Sequence, residues 1–115
     1  MLELRHVIAA VLRRYHFPQE RLTGTTRKPA VCDARGMICT IATQTLELSG
    51  NEIGRFTHAS GSHTSVITAR ARFKRRLADG AITEPVGRDP RPLAEVYAEV
   101  LRELHSLVSD PNTSA

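Results

Sequence analysis

The sequence contains no tryptophan, and aromatic residues of any kind make up only 4% of its 115 residues. A core must therefore be built from Leu, Ile, Val and Ala, which the 41% hydrophobic content allows. No apolar run approaches the roughly 20 residues that cross a bilayer. The opening stretch MLELRHVIAAVLRRYH sets Glu3, Arg5 and His6 among its apolar residues, unlike a secretory leader, so a cytoplasmic protein is expected. Cysteine is scarce: Cys32 and Cys39 stand seven positions apart, near one face of a helix but two turns apart and too far to bridge. With His58 and His63 they make a four-ligand set on paper. The paired short spacings of zinc modules are missing, so two reduced thiols and no metal are expected. A G-x-x-x-x-G-K-[ST] loop is also absent, which leaves no nucleotide-binding motor and no cofactor to expect.

Acid is scarce in one part of the chain. Residues 1–78 hold 13 Lys/Arg against 5 Asp/Glu, a balance of +8, whereas residues 79–115 hold 3 against 7, a balance of −4. Between Glu52 and Asp79 there is no acid at all, while Arg55, Arg70, Arg72, Lys74, Arg75 and Arg76 all fall there. A field of one sign favours a polyanionic partner, nucleic acid first and an anionic membrane surface second.

Hydrophobic periodicity predicts five helices and no strand. The first covers about 4–16, with Leu4, Val7, Ile8, Val11 and Tyr15 on one face. Pro18 opens a short second helix that Gly24 ends, and a basic loop, Gly24-Thr25-Thr26-Arg27-Lys28-Pro29, follows. The third runs over 30–46 with Val31, Ala34, Ile38, Ile41, Ala42 and Thr45 facing inward. Ser49 and Glu52 stand at capping-box spacing for a short helix that ends near Phe56. A turn through Gly61 then leads to a longer helix, capped by Ser60 or Ser62, whose apolar stripe is Val66, Ala69, Phe73 and Leu77. Ala78-Asp79-Gly80 stops it.

Residues 80–90, with two Gly and two Pro, read as a linker. Asp89 and Pro90 suit the start of a last helix over 91–109, and 110–115 form a disordered tail. In that helix Leu93, Tyr97, Val100, Leu104 and Leu107 repeat at 4-3-4-3. Two accounts stand side by side: the seam packs back on its own domain, or it makes a homodimer through 93–107.

A short capped helix, a turn with Gly and a longer basic helix starting with small polar residues describe a helix-turn-helix. Hydroxyls and an imidazole at that start are short enough to bond base edges in a major groove about 12 Å wide. No convergent acid, base and nucleophile appears: Ser62 and His63 point apart on a helix, and Glu52 is a cap. An enzyme is not expected.

The stretches R-K-P-A-V-C-D-A-R-G-M, N-E-I-G and S-H-T-S-V-I resemble the C-terminal DNA-binding domain of the bacterial chromosomal replication initiator DnaA, over roughly residues 5–77. The family's form is a basic loop, a helix starting near an Arg, a short helix containing E-I-G, and a turn into R-D-H-T-T-V. The resemblance implies an all-α, Trp-repressor-like helix-turn-helix bundle over residues 1–79, here with an extra C-terminal amphipathic helix. It implies that Arg27 enters the minor groove, that Arg35 contacts a phosphate, and that His63, Thr64 and Ser65 open the recognition helix. Lys28, Ser49, Ser62, Thr68, Arg70, Arg72 and Lys74 complete the candidate DNA-binding set.

Gly61-Ser62 replaces the family's Arg-Asp before the His, with one extra residue in the turn, so an acidic base reader is absent; Pro29, Gly36 and Asn51 also depart. The expected function is sequence-specific duplex DNA binding by a nucleoid-associated transcription or replication regulator. The alternatives are a non-specific nucleoid or RNA-binding protein, or an adaptor docking a partner through its acidic last helix.

Overall fold

The computed structural model describes residues 2–57, 63–85 and 89–109. Gly61, the caps Ser60 and Ser62, His58 of the four-ligand set, part of the 80–90 linker and the 110–115 tail lie outside them. Helices dominate: α1 (Leu4–Tyr15), a 3-10 turn (Gln19–Arg21), α2 (Pro29–Ile41) running into a π-helical turn (Ala42–Leu46), α3 (Gly50–Thr57), α4 (His63–Ala78) and α5 (Leu93–Ser109).

The predicted apolar faces are the buried ones. Val7, Ile8, Val11 and Tyr15 of α1 meet Val31, Ala34, Met37, Ile38 and Ile41 of α2 in one core with Phe73 of α4. A second cluster joins Cys39, Ala42, Ile53 and Val66, where α3 and α4 pack on the end of α2. Thr45, expected on the inward face, is exposed, because the π turn shifts the register beyond Ile41. Pro18 stands just before the 3-10 turn rather than inside a helix.

Gly36 explains how closely α2 and α4 cross. A Cβ there would lie 2.7 Å from the Phe73 Cβ and 2.9 Å from the Ala69 carbonyl oxygen, so no larger residue fits without moving one helix. Gly80 (φ 66°) ends α4 in the left-handed conformation. The Ala81 N–H there returns to the Arg76 carbonyl at 3.0 Å.

In the C-terminal third the expected linker is corrected, and one of the two accounts of the last helix is favoured. The segment read as a linker carries a two-stranded antiparallel ribbon, β1 (Ile82–Thr83) and β2 (Arg91–Pro92), with Ile82 opposite Pro92. Helix α5 therefore starts at Leu93, and Asp89 and Pro90 precede it. The 4-3-4-3 seam packs inside the monomer: Leu93, Val100 and Leu104, with Val96 beside them, are buried where α5 packs on α1 and α4, and Tyr97 meets the Phe73 ring edge-on at 5.1 Å. Only Leu107 of the predicted seam is largely exposed, at 45%. A homodimer through residues 93–107 would have to open this core, so the self-packing account holds.

The charge segregation has a structural counterpart. Glu103 pairs with Arg13 and, at 2.8 Å, with Arg14; Glu99 pairs with Arg14 at 3.3 Å and with Arg91. The Arg91 guanidinium holds the Glu99 carboxyl below its ordinary range, and Arg13 does the same for Glu103. The acids of α5 thus neutralise arginines of α1, and the basic excess of residues 1–78 is smaller at the surface than the count suggests. Such half-exposed pairs orient α5 more than they stabilise it.

Candidate nucleic-acid interface

Helix α4 is oriented by what it buries. Val66 and Phe73 point into the two clusters, with Ala69 and Leu77 packed beside them. The opposite face consequently presents His63, Thr64, Ile67, Thr68, Ala71, Lys74 and Arg75 to solvent. Hydroxyls, an imidazole and aliphatic groups stand at the helix start, and the cations Lys74 and Arg75 follow about three turns after it. Ile67, 48% exposed, was not singled out from the sequence, because an isoleucine inside a helical pattern reads as core. Ser65 is half-buried.

The start of α4 lies against the start of α3. Ser49 caps α3, its Oγ accepting from the Glu52 N–H at 3.2 Å, so its hydroxyl is already engaged within the protein. Next to it, Gly50 makes room for the His63 ring: a Cβ on Gly50 would fall 2.0 Å from His63 Nδ1. Gly50→Ala should therefore swing the imidazole out of its place. Stability should change by no more than about 0.5 kcal/mol, since a terminal ring moves more easily than backbone. The ring carbon and proton resonances of His63 measure the displacement; unshifted signals in a folded variant would show that the ring does not rest on Gly50.

Three of the basic candidates are placed differently from expectation. Arg35 is 7% exposed and its guanidinium is spent on carbonyl oxygens. Nε donates to Leu22 (2.8 Å) and Thr57 (3.0 Å), Nη1 to Thr26 (2.8 Å), and Nη2 to Arg21 (3.0 Å) and Gly24 (2.9 Å). A phosphate contact would require breaking these bonds, so the role implied for Arg35 is corrected. Arg72 turns away from the exposed face of α4: its Nη1 donates to Asp33 Oδ1 at 2.8 Å, beside Arg76 Nε at 2.7 Å on the same oxygen. Arg70 is half-buried, with its Nε enclosed and without a hydrogen-bond partner among the described residues.

Arg27 and Lys28 are exposed on the loop that enters α2. That loop is joined through Arg35 to Thr57 at the end of α3, so Arg27 and the α3–α4 pair belong to one assembly. Arg55, Lys74 and Arg75 are exposed and form no ion pair with a described residue. Ser62 falls outside the described residues.

Asp33 was missed. It is wholly buried, and its carboxylate collects Arg72, Arg76 (Nη2 to Oδ2 at 3.0 Å) and the Thr83 hydroxyl at 2.7 Å. A single Asp inside a helical pattern carries no signal that partners 39 to 50 residues away will surround it.

The cysteines behave as packing residues. Cys39 is buried near the Thr57 hydroxyl at 3.8 Å, and burial pushes its thiol up to about 11, so it stays protonated at neutral pH. Among the described residues no group of three His, Cys, Asp or Glu could hold a metal ion. Nor is any helix among them long and apolar enough to cross a membrane. Compared with family models, curated proteins and solved structures, the chain matches none.

Proposed function

We propose that the chain binds duplex DNA sequence-specifically through a helix-turn-helix made by α3 and α4, acts as a transcription or replication regulator, and performs no chemistry of its own. The observation that carries this reading is the exposed face of α4. Its buried ridge leaves His63, Thr64, Ile67 and Thr68 outermost at the helix start, with Lys74 and Arg75 further along. Imidazole and hydroxyls can bond base edges, and an exposed aliphatic group can meet a thymine methyl. Cations beyond them lie where phosphates flank a helix seated in the major groove. The loop with Arg27 and Lys28 supplies a second contact, an arginine for a narrow, strongly negative minor groove.

Electrostatics supply most of the affinity in this reading. Arg27, Lys28, Arg55, Lys74 and Arg75 are exposed cations available for this, since Arg70 is half-buried, Arg72 and Arg76 share Asp33, and α5 takes Arg13 and Arg14. With about 5 phosphate contacts, log K should fall against log salt with a slope of about −4 to −5. Selection from random duplexes at two salt concentrations tests both parts of the reading. A defined motif that relaxes at one base position in His63→Ala supports it. Salt-sensitive binding with no motif would make the chain a non-specific binder, and no binding at low salt would end the proposal.

A further inference from the structure

We propose that Arg35 is a positioning residue for DNA recognition: its buried guanidinium sets the spacing between the Arg27 loop and the α3–α4 pair. The inference rests on the DNA-binding reading above. It begins from where the five carbonyls come from. Four belong to the loop before α2 (Arg21, Leu22, Gly24, Thr26) and the fifth to Thr57, the last residue of α3. Nε is shared between Leu22 and Thr57, so one N–H spans both segments. Thr26 immediately precedes Arg27, and Thr57 is separated from α4 by five residues of sequence.

Loop carbonyls have no ladder to satisfy them. A planar guanidinium with five donors in a fixed fork can gather several at once, which a flexible ammonium cannot. No acid among the described residues pairs with Arg35, and the five acceptors described are all backbone carbonyls. The loop and the end of α3 are thereby held at one separation, and a rigid duplex presents its minor and major grooves at fixed positions. Any change in that separation weakens simultaneous contact from Arg27 and His63 while each remains intact.

Affinities of the intact chain, Arg27→Ala, Arg35→Lys and the double variant for the selected site provide the test. Arg35→Lys keeps the charge, so a direct phosphate contact would be largely rescued by it. A positioning role predicts instead a loss of about tenfold. In the Arg27→Ala background the same change should cost less than about twofold, because the contact it positions is already gone. Val100→Ala, a core variant on α5, controls for lost stability and should couple to Arg27→Ala not at all.

If Arg35→Lys does not fold, the Arg35 Nε–H resonance of the intact chain decides. It should exchange slowly with solvent and keep its shift when DNA is added; a shift on DNA binding would mark a phosphate contact and overturn the inference. Additive losses, or affinity retained by Arg35→Lys, overturn it as well and leave the DNA-binding reading standing. An intact chain that selects no motif removes both.

Discussion

A chain cut after Gly80 should fail to fold. The cut removes Leu93, Val96 and Val100, each fully buried, together with Leu104 and the Tyr97 ring that meets Phe73. Burying each large aliphatic side chain contributes about 1.5–3 kcal/mol, so four of them supply about 6–12 kcal/mol. Net stability of a domain this size is about 5–15 kcal/mol, and the loss would use most or all of it. The cut also leaves the α1 face of Val7 and Val11 in water, an apolar patch prone to association. Circular dichroism should show weak, non-cooperative melting, and light scattering should report aggregates. A soluble, cooperatively melting monomer of residues 1–80 would show that α5 is an accessory helix and not part of the core.

What sequence could reveal here depended on periodicity. The inward faces of α1 and α2 and the stripe Val66, Ala69, Phe73 and Leu77 of α4 repeat at helical spacing over several turns, and, apart from Thr45 in the π turn, those residues are the buried or partly buried ones. The Ser49 cap was legible because its signal spans only three residues. Two-residue strands have no periodicity, so β1 and β2 were hidden in a stretch whose Gly and Pro content spoke for a linker. The seam of α5 was visible, but a 4-3-4-3 repeat is identical whether its partner is α1 or a second chain.

Among the candidate DNA-contacting residues the limit is sharper. His63 and Thr64 at the start of α4, and Arg27 and Lys28 on the loop, are exposed where local pattern put them, whereas Ser65 is half-buried. Arg35 and Arg72 are turned inward by partners from distant segments, five carbonyls in one case and Asp33 in the other. Charged residues default to the surface in any local reading, and only tertiary structure supplies the groups that hold them elsewhere.

Asp33→Ala should be the most damaging single substitution in the polar interior. The carboxylate is wholly buried and ties α2 to three other elements: Arg72 and Arg76 from α4, Thr83 from β1 and, through Thr83, Tyr15 of α1. The direction of the protons follows from the chemistry. An ionised carboxylate only accepts, so Thr83 donates to Asp33, and the Tyr15 hydroxyl, 2.9 Å from Thr83 Oγ1, donates in turn. Burial raises the Tyr15 phenol well above its ordinary value and keeps it protonated for that task.

Removing the acid leaves two guanidiniums facing each other without a counter-ion, which for a buried pair costs about 3–5 kcal/mol. Arg72 and Arg76 retain 36% and 27% of their exposure, so water recovers part of the loss and the lower end, about 3 kcal/mol, is expected. Tyr15→Phe removes one neutral hydrogen bond at the far end of the same chain and should cost about 1 kcal/mol. Urea denaturation of the two variants measures both, the midpoint falling with an unchanged slope if the native state alone is affected. Equal losses in Asp33→Ala and Tyr15→Phe would mean that the arginines are satisfied by solvent, and that α4 is held in place by Phe73 and Val66 alone.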